Sequence, residues 1–160
     1  MLFCQIALCF GMVANVNALT SRQESAISTK CELIHNSLQS VSANDARVYT
    51  NISHYFEIIN TRFIVPLNLR LTRNNTPNNA LTDLQVSFVN TRADFRATYL
   101  DYQRMLEELK NYNCSSNPQE FYTKLVAVRE KRASLASYTT KLRGYVSNFV
   151  EKVKGLKNGK

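Results

Sequence analysis

Apolar residues recur at intervals of three and four along most of this 160-residue chain. That spacing places them on one side of an α-helix, and alternating steps of three and four give the seven-residue repeat of packed helices. Three separate series show the pattern, so the sequence predicts an all-α protein, an antiparallel three-helix bundle with coiled-coil-like heptad seams. The first series is Ile27, Cys31, Ile34, Leu38, Val41, Asp45, Val48, Ile52, Tyr55 and Ile59.

The first predicted helix covers residues 21–65. Ser21 and Glu24 have the spacing of a capping box, which satisfies the first free amide groups of a helix. Pro66 lacks an amide hydrogen and predicts the end of this helix. The following "LTRNNTPNNA" is rich in Asn and contains a second proline, so we expect a long loop there.

The second and third predicted helices cover residues 79–112 and 118–155. Between them, Asn117 is expected to cap the third helix and Pro118 to occupy its first position, where a missing amide hydrogen costs nothing. Residues 157–160 form a short basic tail.

The register of the helices follows from arithmetic, because facing residue numbers in an antiparallel pair add to a constant. A sum of 143 for the first two helices puts Val48 on Phe95 and Tyr55 on Phe88. A sum near 230 for the second and third helices brings apolar residues together and places opposite charges at the flanking positions, as in Asp101 beside Lys131. Both sums therefore predict continuous apolar contact along the helices.

The first eighteen residues, "MLFCQIALCFGMVANVNA", differ in kind from the rest. They contain no charged side chain, and Val16 and Ala18 stand at the two small-residue positions of an export cleavage site. We interpret residues 1–18 as a signal peptide and 19–156 as a single helical-bundle domain, which predicts a secreted or periplasmic protein. No basic residue precedes the apolar stretch, so the alternative is an uncleaved N-terminal anchor, although the stretch is short for a membrane span.

Two cysteines remain after such a cleavage, Cys31 and Cys114. The register puts Cys31 level with Tyr112, so both cysteines fall at the same end of the bundle. An even pair in an oxidising compartment predicts a disulfide. It would close a long loop and contribute about 4 kcal/mol in the chain-entropy model.

Asp45 is the one charged residue in the first apolar series. The two register sums place it level with Thr98 and Arg132, and Arg132 is the one charge in the third series. The sequence therefore predicts a buried polar layer of Asp45, Thr98 and Arg132. Polar layers of this kind fix the register of packed helices, so we assign this one a structural role.

The sequence suggests no catalytic, cofactor-binding or metal-binding residues, and we expect the protein not to be an enzyme. A narrow bundle leaves no substrate cavity, and no recognisable nucleophile or base arrangement is found. His35 and His54 fall at flanking and outward positions of the first helix, nineteen residues apart, which is typical of surface histidines.

Charge is distributed unevenly along the chain. Residues 19–120 contain ten basic and ten acidic side chains, whereas residues 121–160 contain ten basic and two acidic ones. The excess indicates either a solubilising terminus or a binding element for anionic lipid head groups or wall polymer, with specific nucleic acid recognition not expected of an exported protein. The candidate binding residues are Lys152, Lys154, Lys157 and Lys160.

The segment "LTDLQ", from Leu81 to Gln85, resembles the short Leu-Thr-x-x-Gln motif of the spheroplast-protein family of periplasmic chaperones. That resemblance implies a small, basic, exported, all-helical protein that holds unfolded clients. Two functions follow from the sequence. The first is a noncatalytic helical module that engages envelope proteins or anionic surfaces, and the alternative is a chaperone-like protein, which would need a large exposed apolar patch.

Overall fold

A computed structural model describes the backbone of residues 19–158 and the side chains of residues 19–156. The regular elements in this part of the chain are all helical, so the all-α prediction is confirmed. None of the described helices is both long enough and apolar enough to cross a membrane. The elements are α1 (Ser21–Thr29), α2 (Cys31–Ile59), a π-helical turn (Asn60–Ile64), α3 (Val65–Arg73), α4 (Asn79–Lys110) and α5 (Pro118–Asn158).

The N-terminal cap of α1 lies one residue earlier than predicted. Thr20 is the capping residue, and its hydroxyl accepts a hydrogen bond from the backbone of Gln23, whose side chain in turn accepts one from the backbone of Thr20. Thr-x-x-Gln therefore forms the box instead of the overlapping Ser21 and Glu24. The α-helical conformation is interrupted at Lys30, which separates α1 from α2.

Pro66 does not end the first long helix, contrary to prediction. The chain widens into the π-helical turn just before it, and the amide of Val65 bonds to the carbonyl of Asn60, five residues back. A proline ring inside a regular α-helix would collide with the carbonyl four residues earlier, and the wider turn relieves that collision. Helix α3 therefore continues to Arg73, and the predicted long loop shrinks to residues 74–78.

Helices α4 and α5 form a long antiparallel pair, as their shared clusters show. Leu109 and Phe121 are buried in one cluster near the connecting loop, whereas Phe88 and Leu142 are buried in a second cluster farther along. Asp101 and Lys131, which the predicted register places side by side, form an ion pair with an N–O distance of 3.6 Å.

Helix α2 packs on α4 with a register shifted by one residue from the prediction. The rings of Tyr49 and Phe95 lie 5.3 Å apart, and those of Phe56 and Phe88 lie 5.9 Å apart. Val48, which was predicted to face Phe95, is 46% exposed. A straight α-helix has 3.6 residues per turn, so its contact face drifts away from a strict seven-residue repeat over several turns.

The core consists of two apolar clusters. The cluster near the α4–α5 loop includes Leu38, Tyr102, Leu106, Leu109, Cys114, Phe121 and Val128. The cluster at the opposite end includes Phe56, Ile64, Leu81, Phe88, Phe95, Leu142 and Phe149. Asp45 interacts with Tyr102, a member of the first cluster, and Tyr49 packs against both clusters.

Candidate functional site

The Asp45 carboxylate is held by side chains from the other two long helices. The Tyr102 hydroxyl on α4 donates to it at 2.5 Å, and the Arg132 guanidinium on α5 donates through Nε at 2.7 Å and Nη2 at 2.8 Å. The predicted contact of Asp45 with Arg132 is therefore present. Thr98, in contrast, makes no hydrogen bond to either residue, and the Tyr102 hydroxyl bonds to Asp45 in its place.

The layer lies at the edge of the helix packing and not inside it. The Asp45 side chain is 13% exposed, but that of Arg132 is 54% exposed. Burial, together with the hydrogen bond to Asp45, raises the pKa of Tyr102 above its ordinary value of 10.0. The same carboxylate raises the pKa of Arg132. Because three hydrogen bonds already occupy Asp45, this carboxylate is poorly suited to act as a general base, and the arrangement ties the helices together.

The predicted disulfide joins Cys31 and Cys114, with their Cα atoms 5.5 Å apart. It connects the first residue of α2 to the loop between α4 and α5. Ser28 and Ser115 reinforce the connection, since the hydroxyl of each donates to the backbone carbonyl of the other at 3.2 and 3.1 Å. Covalent and polar contacts therefore close this end of the molecule.

His35 lies against the disulfide, and the sequence reasoning missed it. Its Nε2 atom is 2.9 Å from the carbonyl oxygen of Tyr112 and 3.5 Å from Sγ of Cys114. The interpretation of His35 as a surface histidine is wrong, because the side chain is only partly exposed and packs into the loop contact. Its position four residues after Cys31, one helical turn, is the signal that could have found it.

Cys31, His35 and Cys114 bring two sulfur atoms and an imidazole nitrogen within 4.8 Å of one another. Metal ions such as Zn²⁺ bind cysteine as the thiolate. In the disulfide each sulfur is bonded to the other, so this group is not a metal site in the oxidised protein. His54 lies far from it in sequence and is exposed.

The last described turns of α5 carry two of the predicted binding residues. Lys152 and Lys154 are both exposed, and Lys154 forms an ion pair with Glu151 at 2.9 Å. The side chains of Lys157 and Lys160 lie outside the described part of the structure. The structure therefore shows both lysines exposed on the last described turns of α5, but two residues apart, so their side chains point to different sides of the helix. Attachment through all four lysines stays a prediction.

A groove of about 540 Å³ lies beside this basic end, between the π-helical turn, α3 and α5. We call it the end groove. Its walls are aliphatic and aromatic, and three cationic side chains stand among its lining residues. The cationic ones are Arg62, Arg70 and Lys154, and the apolar ones include Ile64, Leu67, Val146, Phe149, Val150 and Val153.

A second groove, of about 680 Å³, separates α2 from α5 near the middle of the molecule. We call it the lateral groove. Val48 and Ile52 line its α2 side, whereas Arg132 and Arg143 line its α5 side. The prediction of continuous apolar contact is therefore wrong between α2 and α5. Helix α2 packs more closely on α4 than on α5, which leaves the groove between them.

The chain matches no known protein-family model, no curated protein and no solved structure. The segment "LTDLQ" lies in the first turns of α4, where Leu81 is fully buried. The Gln85 side-chain oxygen accepts a hydrogen bond from the Asn68 amide of α3 at 2.6 Å. The segment thus has local structural contacts with α3 and the apolar core.

Proposed function

We propose that this protein is a noncatalytic, exported helical interaction module of the cell envelope. In this proposal its long helices act as an antiparallel three-helix bundle with heptad-like seams, and its basic C-terminal end attaches to an anionic surface. The attaching residues are Lys152, Lys154, Lys157 and Lys160. The surface is a membrane with anionic head groups or an anionic wall polymer.

One observation carries the proposal. Cations from separate parts of the chain, Arg62 of the π-helical turn, Arg70 of α3 and Lys154 of α5, line the same end groove. The end of the molecule is therefore more basic than the lysines of α5 alone would make it. Each lysine or arginine near an anionic membrane contributes about 1 kcal/mol, so several of them give measurable attachment.

Export is the second part of the proposal. The signal peptide assigned to residues 1–18 lies outside the described residues, and the disulfide supports an oxidising compartment because such bonds persist there. If the assignment holds, mass spectrometry of exported material will find a chain that begins at Leu19. An intact Met1 would instead support the anchored alternative.

Cosedimentation with anionic vesicles tests the attachment. We expect binding that weakens as salt screens the charges, and we expect its loss when the four lysines are replaced by Gln. A matched control replaces Lys30, Lys110, Lys124 and Lys141 by Gln, which removes the same charge from elsewhere on the protein. Equal loss of vesicle binding in both variants would show that only the net charge of the protein matters and would contradict attachment through the C-terminal end. Unchanged binding by the C-terminal four-lysine variant would also contradict the proposal.

The lateral groove favours a second candidate function, a chaperone-like protein that holds unfolded clients. It exposes apolar side chains of α2, such as Val48, beside arginines of α5. A chaperone would delay the aggregation of a chemically denatured client at equimolar concentration, and Val48→Asp would weaken that effect. Aggregation at the same rate with and without the protein would rule this function out.

A further inference from the structure

We propose that the end groove binds the acyl chain of a monoacyl anionic phospholipid, with the head group held by Arg62, Arg70 and Lys154. The inference deepens the proposed function and rests on it, because it names the class of anionic molecule that the basic end recognises. A lysophosphatidylglycerol molecule has the required chemistry, one acyl chain and one phosphate charge.

The interior of the groove suits an acyl chain. Ile64 and Phe149, which are 2% and 6% exposed, belong to the apolar core beneath it, and Leu67, Val146 and Val153 complete an aliphatic lining. Its volume of about 540 Å³ lies within the range of about 300–1,000 Å³ that is typical of small-molecule sites. An apolar chain placed here would lose contact with water without burying a polar group of its own.

The mouth of the groove exposes further apolar surface. Phe63 of the π-helical turn is 60% exposed, and Val150 of α5 is 45% exposed. Both line the same groove, so their exposed apolar surface belongs to one site on the molecule. A bound acyl chain would cover both.

The rim supplies the charge that a phosphate head group requires. Arg62 and Arg70 make no ion pair with any carboxylate in the described part of the chain, whereas Lys154 is paired with Glu151. Two guanidinium groups are therefore available, and the planar fork of arginine matches phosphate oxygens in a bidentate manner. Charge complementarity selects an anionic lipid over a neutral one.

The lateral groove fits this ligand less well. Asp45 stands in its lining and would repel an anionic head group, and Arg132 is already engaged by that carboxylate. The end groove has no acidic lining residue. Arg129 and Arg143 of the lateral groove are also free of ion pairs in the described part of the chain, so the difference lies in the acidic group. A cationic, apolar lining without a carboxylate therefore points to the end groove.

Isothermal titration with lysophosphatidylglycerol, kept below its micelle concentration, tests the inference. We expect one molecule to bind per chain, a monoacylglycerol of equal chain length to bind roughly tenfold more weakly, and glycerol phosphate alone to show no binding. Equal affinity for the charged and neutral lipids would overturn the assignment of the rim, and absence of lipid binding would overturn the inference.

Val150→Asp places a charge at the mouth of the groove, on a side chain exposed enough for the fold to tolerate it. We expect it to weaken lipid binding at least tenfold, whereas Val89→Asp, at a valine of α4 that is 41% exposed and outside the groove, should have no effect. Arg62→Gln with Arg70→Gln should abolish the preference for the charged lipid. Circular dichroism will verify that each variant is folded, and wild-type affinity in the Val150 variant would overturn the inference.

The lipid titration and the vesicle assay separate this inference from the proposed function. If the protein binds anionic vesicles through its lysines but does not bind monomeric lipid, the groove inference fails and the proposed function stands. If monomeric lipid binds in the groove but the four-lysine variant sediments with vesicles as wild type does, the proposed function fails and the groove inference stands.

Discussion

The two ends of the molecule are built differently. The disulfide end, formed by α1, the start of α2 and residues 111–117, is held by the Cys31–Cys114 bond and the paired Ser28 and Ser115 hydrogen bonds. The groove end, formed by the π-helical turn, α3 and the last turns of α5, has apolar contacts and a groove between them. One end is closed by specific bonds, and the other is left open.

The hydrogen bonding of polar side chains also differs between the disulfide end and the groove end. At the groove end, the buried side-chain oxygens of Asn60 and Asn68 have no hydrogen-bond partner among the described residues, although the Asn68 amide donates to the Leu81 carbonyl and to Gln85. At the disulfide end, His35 and Gln119 bond to backbone groups of neighbouring segments. Binding surfaces are commonly drawn from the less constrained part of a protein, and the groove end has no cross-link comparable to the disulfide among the described residues.

The largest expected effect comes from breaking the disulfide. The cysteines are 83 residues apart, and the chain-entropy relation gives about 4–5 kcal/mol for a loop of that size. Cys31→Ala with Cys114→Ala should therefore lower the free energy of unfolding by that amount in urea titrations. The four-lysine Gln variant provides a control that leaves the bond intact.

Lipid binding by the same double-alanine variant sharpens the comparison. Because the end groove lies at the opposite end, we expect its affinity for lysophosphatidylglycerol to be unchanged under conditions where the variant is still folded. A parallel loss of stability and of lipid affinity would show that the two ends are not independent.

The Asp45 layer should produce the next largest effect. Asp45→Ala removes the acceptor of the buried Tyr102 hydroxyl and of Arg132, so we expect a loss of about 2–3 kcal/mol in unfolding free energy. Arg132→Leu should cost only about 1 kcal/mol, because that guanidinium is half exposed and Tyr102 still supports the carboxylate. Equal losses of unfolding free energy in the Asp45 and Arg132 variants would indicate that both side chains are fully buried. If the loss in the double variant equals the sum of the two single losses, the two residues do not interact.

Alkaline pH should weaken the Tyr102 contact. The pKa of Tyr102 is raised in the folded protein, so the unfolded chain releases its phenolic proton at lower pH than the folded one. The stabilisation is complete below the unfolded value of about 10 and decreases as pH rises above it. Tyr102→Phe should show a shallower decrease of unfolding free energy in this range, and an identical slope in both proteins would contradict the assignment.

The smallest expected effect is a gain of stability at a glycine. Gly144 lies inside α5, and a Cβ atom added there would meet no other atom within 4 Å. Gly144→Ala should raise the unfolding free energy by about 0.5–1 kcal/mol through helix propensity. Gly155→Ala is equally free of contacts but stands near the helix end, so we expect a smaller gain in thermal melts. A larger gain at Gly155 would contradict this order.

The sequence was sufficient to predict the all-α class, the pairing of Cys31 with Cys114 and the contact between Asp45 and Arg132. These features depend on patterns that persist over many turns, or on charges that stand out in an apolar series. The sequence also predicts which residues face each other, because consecutive helices in the bundle run antiparallel and each residue's distance from the connecting loop determines its partner.

The features that the sequence did not reveal depend on small local differences. A drift of one residue moves the contact from Tyr55 to Phe56, and both are aromatic, so the apolar pattern alone does not distinguish them. Neither groove could be read from periodicity, because each depends on the distance between helices. His35 was missed although its spacing from Cys31 was visible in the sequence.

The π-helical turn makes Pro66 and one residue of the preceding turn depend on each other. Deleting Arg62 would return residues 59–65 to an ordinary α-helical turn but would set the Pro66 ring against a carbonyl. Replacing Pro66 by Ala would remove the need for the wide turn but would leave the extra residue in place. The wide turn and the proline are therefore coupled, and the effect of changing both should differ from the sum of the two single effects.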